Sequence, residues 1–150
     1  MLKTSLFVLG VVVLASGCNK SEPAESKAAT EVAPAAAAKP VTETSVTDLA
    51  SALKDKQAVA IDANGEETRQ KFGIVPGATL LSDHRNYALT ELPADKAQRL
   101  VFYCGGTQCR ASDAAANRAL SAGYANVSVM RDGIKGWVSA GQPTTTLPKS

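Results

Sequence analysis

The run Leu100-Val101-Phe102-Tyr103-Cys104-Gly105-Gly106-Thr107-Gln108-Cys109-Arg110-Ala111-Ser112 holds the residues of this chain best suited to chemistry. A thiol closes an apolar stretch, a glycine pair follows, and a second thiol and an arginine precede an alanine-rich segment. The pattern is that of a strand delivering Cys104 into a tight loop that opens onto a helix. Gly105 and Gly106 allow backbone N–H groups to turn inward as an anion nest. The helix adds the positive end of its dipole, and Arg110 adds a full charge. Cys104 is therefore expected to have a depressed pKa and to act as a nucleophilic thiolate. Gly105, Gly106, Thr107, Gln108, Cys109 and Arg110 form the expected anion-binding loop, with Thr107 offering a hydroxyl. Cys109 has several open roles: redox partner of Cys104, resolving thiol, or small buried residue.

Several elements must position that loop. Val46, Leu49, Ala50 and Leu53 share one helical face, with Thr47 as the expected N-cap. Ala58-Val59-Ala60-Ile61 reads as a buried strand ending at Asp62, and Asn64-Gly65 as a turn. Glu66 to Phe72 is expected to be helical up to Gly73, and Ala78 to Leu81 to be a short strand. Leu100–Tyr103 is the central strand, Ser112 to Ala122 a helix, Val127–Met130 a strand and Ile134 to Ala140 a last helix. Strands alternating with helices predict an α/β domain with a central parallel sheet covered on both faces. Ligands of such sheets sit beyond the carboxyl ends of the strands, where Cys104 lies. Asp62, at a neighbouring strand end, is expected to support the loops. His84 reads as a surface loop residue and Trp137 as core.

The ends carry other information. Lys3, the apolar stretch Leu6–Leu14 and the small residues Ala15-Ser16-Gly17 form a secretory signal over residues 1–17. Leu14-Ala15-Ser16-Gly17-Cys18 resembles a bacterial lipobox, which implies lipidation at Cys18 and a bacterial envelope location. Asn19 after that cysteine resembles the outer-membrane sorting pattern. Residues 18–44 are rich in Ala, Pro, Glu, Lys, Ser and Thr and read as a tether that cannot bury enough apolar surface to order itself. Residues 45–148 are then one domain. The formal charge of +2 and the absence of a basic block exclude nucleic acid as an expected partner. One histidine and two thiols make no metal site, and no nucleotide-binding glycine motif is present, so no cofactor is expected.

The folded region resembles the rhodanese-like family. The matching pieces are Ile61-Asp62, Gly73-Ile74-Val75-Pro76-Gly77-Ala78, Tyr103-Cys104 with its loop, Gly123-Tyr124-Ala125-Asn126-Val127 and Met130 to Trp137 followed by Ala140-Gly141-Gln142-Pro143. The resemblance implies a small three-layer α/β domain. It also implies a loop cysteine, here Cys104, that accepts a sulfane sulfur as a persulfide and passes it to a thiol or cyanide. The implied partners are a small sulfur-containing anion and a thiol acceptor, with the membrane reached through Cys18.

The loop departs from that family's usual spacing. Cys109 stands where the transferase arginine is usual, and Arg110 lies six residues after Cys104. Cysteine, five residues and arginine is also the pattern of rhodanese-fold phosphatases and arsenate reductases. Counting back from Gly123-Tyr124 instead puts Ala111-Ser112 where the family's Arg-Ser often stands, with Arg110 outside the cradle. Ile74 and Asn64 replace a frequent histidine and arginine. Four functions follow as alternatives: an envelope-anchored sulfurtransferase as the leading one, a cysteine phosphatase or arsenate reductase, a thiol–disulfide protein using Cys104 and Cys109, and a tethered binding module without catalysis.

Overall fold

The computed structural model describes residues 41–148; the signal segment, Cys18 and most of the tether lie outside the described residues. Five strands, β1 (Thr42–Glu43), β2 (Val59–Asp62), β3 (Thr79–Leu80), β4 (Arg99–Tyr103) and β5 (Asn126–Met130), form one sheet in the order β1-β5-β4-β2-β3. Every pairing is parallel. Four helices connect and cover it: α1 (Val46–Lys54), α2 (Glu66–Phe72), α3 (Ala111–Ser121) and α4 (Gly133–Ser139). The expected three-layer α/β architecture is present, as a doubly covered parallel sheet requires.

The strand pleat divides β4 between two cores. Leu100, Phe102 and Cys104 face the α3 side with Ile61, Leu81, Tyr87 and Val129. Val101 and Tyr103 face the other side with Leu49, Val75, Met130, Ile134 and Trp137. Side chains of a strand alternate between faces, so the position of Cys104 follows from the phase of the preceding apolar residues. Helix α3 presents Ser112, Ala115, Ala116 and Ala119 as its buried stripe, and these small residues let it lie close to the sheet.

Two boundaries differ from the sequence expectation. Ser45, rather than Thr47, caps α1: its Oγ accepts from the Asp48 N–H at 3.1 Å, three residues on, as an N-cap bond requires. The sheet also begins at Thr42, inside the segment assigned to the tether. A two-residue edge strand whose side chains are both exposed leaves no hydrophobic period to read, although Thr44 Oγ1 donates across to Ser128 Oγ at 2.7 Å.

Register brings the working loops together. Asp62, Tyr103 and Met130 lie side by side across the sheet. The chain therefore leaves β2, β4 and β5 at the same height, as 63–65, 104–110 and 131–132. The Ala63 N–H donates to Tyr103 O at 2.9 Å, carrying the pairing one step beyond the strands.

Candidate active site

The 104–110 loop is held from beneath by α4. Ile134 N–H donates to Cys104 O at 2.8 Å and Lys135 N–H to Gly105 O at 3.3 Å, so two loop carbonyls complete the start of that helix. Gly133 makes this approach possible. Its φ is +61°, and a Cβ there would run into Cys104 O and the backbone of Gly105 and Gly106. Within the loop, Cys109 N–H closes a turn onto Gly106 O at 2.8 Å.

The two thiols have different surroundings. Cys104 is 2% exposed, packed under α3, with its Sγ 3.3 Å from the hydroxyl of buried Ser112. Burial is the largest influence and pushes this thiol above the ordinary cysteine value; hydrogen bonding with Cys109 adds to that, against the opposing effect of Ser112. The expected depression of the Cys104 pKa is thus corrected: the pleat of β4 drives the side chain into the core.

Cys109 is half-buried and lines the open space beside the loop. Burial raises its pKa, but hydrogen bonding from Cys104 and from the amides of Ala111 and Gly105 outweighs this and leaves the thiol below its ordinary value. The amides foreseen around Cys104 are shared between the two thiols: those of Gly105 and Ala111 favour the Cys109 thiolate and that of Ser112 the Cys104 thiolate. Ala111 is the first residue of α3, so its N–H belongs to the positive end of that helix.

Arg110 turns away. Its side chain is 76% exposed and its Nη1 lies 3.5 Å from Asp113 Oδ2. As residue before the helix it takes the N-cap position, while Ser112 points inward. Of the two registers open in the sequence, the structure has the one with Ala111-Ser112 at the cradle and the arginine outside. Thr107 and Gln108 are exposed at the loop tip, and Gly105 and Gly106 are half-buried.

Asp62 lies apart from both thiols as a buried structural hub. It accepts from Tyr103 Oη at 2.6 Å, from the Asn64 N–H at 2.7 Å and from Arg69 Nε at 3.3 Å. Arg69 also donates to the carbonyls of Asp62 and Leu81, and Tyr103 Oη accepts from the Val75 N–H. The carboxylate and phenol thus tie β2, β4 and the start of β3 together. They also raise the Tyr103 pKa: burial contributes most, then the neighbouring Asp62 charge.

A cleft of about 530 Å³ opens beside Cys109, lined among others by Asn64, Lys71, Phe72, His84 and Lys135. A second of about 340 Å³ borders the loop itself, again with Cys109 and Lys135. Lys71 Nζ and Lys135 Nζ stand 5.5 Å and 5.6 Å from the Phe72 ring centre. Asn64 Nδ2 is buried without a hydrogen-bond partner among the described residues, a donor free for a ligand atom. His84, expected as a surface residue, is half-buried on the rim. No role for Lys71 or Lys135 is legible in the sequence. Their charges lie in separate helices, and only the packing of α2 against α4 unites them at this opening.

The fold is a small parallel α/β domain whose loop at the carboxyl edge of the sheet holds two free thiols. The family model for the rhodanese-like domain matches residues 45–140, and the chain belongs to that family. No curated protein matches the chain. Among solved structures, a Bacillus halodurans protein is 20% identical with a TM-score of 0.60, covering 70% of this chain and 77% of its own. A Rhodopseudomonas palustris protein of unknown function, described as a possible tyrosine phosphatase, is 19% identical with a TM-score of 0.58, over 70% and 85%. A thiosulfate sulfurtransferase from Pseudomonas aeruginosa is 24% identical with a TM-score of 0.57, over 71% of this chain and 20% of that longer one. At these identities the likeness is one of fold.

Proposed function

We propose that the domain is a sulfurtransferase. It takes a sulfane sulfur from thiosulfate or a polysulfide onto a thiol of the 104–110 loop, and yields it from the persulfide to a thiol or to cyanide. The observation that carries this reading is the pair of thiols in the loop at the carboxyl edge of the sheet of a rhodanese-like domain, with Cys104 at the family's nucleophile position and half-buried Cys109 lining the clefts beside it. Backbone donors fixed in place stabilise an anionic sulfur without reorganising. Lys71, Lys135 and the free Asn64 donor suit an anionic sulfur donor arriving from the cleft. The phosphatase alternative has less support, because the Arg110 guanidinium is paired with Asp113 rather than turned toward the loop.

The proposal includes the envelope setting read from the sequence: a lipid on Cys18 and the 18–44 tether hold the domain at the periplasmic face of the outer membrane. The test of activity is direct. Reduced protein incubated with thiosulfate or inorganic polysulfide takes up the sulfane sulfur, read as a loop persulfide trapped by rapid alkylation or as thiocyanate when cyanide is present from the start. Reduced, folded protein that takes no sulfur from either donor overturns the proposal.

A further inference from the structure

We infer that the two loop thiols divide the work, with Cys109 receiving the sulfane sulfur and Cys104 expelling it as hydrosulfide, so that the domain is a sulfane-sulfur reductase. This rests on the sulfur-transfer reading above and names its acceptor: the chain's own second thiol.

Access separates the two residues. Cys109 borders both openings beside the loop, whereas Cys104 borders neither and is 2% exposed. A donor approaching from solvent meets Cys109, and an external acceptor cannot meet Cys104. Cys109 also packs against the buried cluster that contains Cys104, and the amides of Gly105 and Ala111 favour its thiolate. Cys104 has Ser112 on one side and Cys109 on the other, so its available electrophile is a sulfur carried by Cys109. A buried thiol beside a half-buried one that borders open space is the arrangement of a resolving thiol and an entry thiol.

The chemistry balances in three steps. The Cys109 thiolate attacks the outer sulfur of the donor; the donor S–S bond breaks and sulfite, or a shortened polysulfide, leaves with the electron pair. Cys109 then carries a persulfide anion. Cys104 Sγ next attacks Cys109 Sγ, forming the Cys104–Cys109 disulfide and breaking the bond to the outer sulfur. That sulfur leaves with the electron pair, takes the Cys104 proton, and departs as hydrosulfide. The thiols are oxidised by two electrons and the sulfane sulfur is reduced by two. An external dithiol resets the loop by exchange.

The test uses the full reduced chain with thiosulfate or inorganic polysulfide and no added reductant. Wild-type protein is expected to release hydrosulfide stoichiometrically and finish as the Cys104–Cys109 disulfide. Cys104→Ser is expected to hold the persulfide on Cys109 and release none, and Cys109→Ser to take no sulfur. Rapid alkylation and peptide mapping of the wild type locates the first persulfide without any substitution. A first persulfide on Cys104, or a wild-type persulfide that persists without disulfide formation, overturns this inference while leaving sulfur transfer intact. Failure of the wild-type protein to take sulfur at all overturns both.

Discussion

Gly133→Ala is the sharpest probe of how the loop is built. An alanine at φ +61° carries the left-handed backbone penalty of about 1–2 kcal/mol. Its Cβ would also collide with Cys104 O and the Gly105–Gly106 backbone, none of which is a side chain that can swing aside. Relief requires the loop and α4 to part, weakening the Ile134–Cys104 and Lys135–Gly105 hydrogen bonds, each worth about 0.5–1.5 kcal/mol. The combined loss is about 2–5 kcal/mol. Gly77→Ala is the control: its φ is +72° but nothing lies within 4 Å of the added carbon, so only the backbone penalty applies. At about 4–8 °C per kcal/mol for a domain of this size, Gly77→Ala lowers Tm by about 4–16 °C and Gly133→Ala by more. Thermal unfolding followed by circular dichroism measures both, and thiol labelling reports the loop. If Gly133→Ala costs no more than Gly77→Ala and labels like wild type, the loop does not rest on α4 as described.

Four further outcomes are expected. Asp62→Ala strands the buried Arg69 guanidinium and removes the acceptor of Tyr103, lowering stability by about 3–5 kcal/mol in denaturant titration with unchanged slope. Iodoacetamide should modify Cys109 before Cys104 in the reduced protein. Because its pKa is depressed, the labelling rate rises with pH and levels off before an ordinary cysteine would, whereas Cys104 lags to higher pH; equal rates would contradict the assigned environments. Lys71→Gln combined with Lys135→Gln should raise KM for an anionic sulfane donor several-fold and flatten its dependence on ionic strength, leaving kcat little changed. Metabolic labelling with palmitate should mark the protein and be lost in Cys18→Ser; equal incorporation in the variant contradicts lipidation there.

The order of elements was legible because each strand is a short apolar run bounded by turn residues, as in Val59–Asp62 before Asn64-Gly65 and Leu100–Tyr103 before Gly105-Gly106. Helix α3 was legible from its alanines. The edge strand at Thr42 was hidden because both its side chains are exposed and it follows an alanine- and proline-rich segment. The chemistry of the loop was legible as composition but not as orientation. Whether Cys104 or Cys109 faces solvent depends on the pleat phase of β4 combined with the rotational setting of α3, and these meet only when Ser112 packs over Cys104. The spacing to Arg110 was misleading for the same reason. One residue of helical register, about 100°, turns a side chain from the cradle toward Asp113.

Loop length connects these observations. Amides at the start of a helix serve the residues immediately before it, because those N–H groups have no carbonyl of their own helix to bond. Here the Ala111 amide acts on Cys109 and the Ser112 amide on Cys104 at the strand end. A loop that separates strand thiol from helix start by six residues therefore brings a second thiol to the same helix start. It also leaves the first thiol within reach of the second, shielded by α3, with burial holding its pKa above the ordinary cysteine value. A single nucleophile would need only one of these environments. The presence of both, on neighbouring thiols, is what the proposed cycle requires: a stabilised anion at entry and a proton at release.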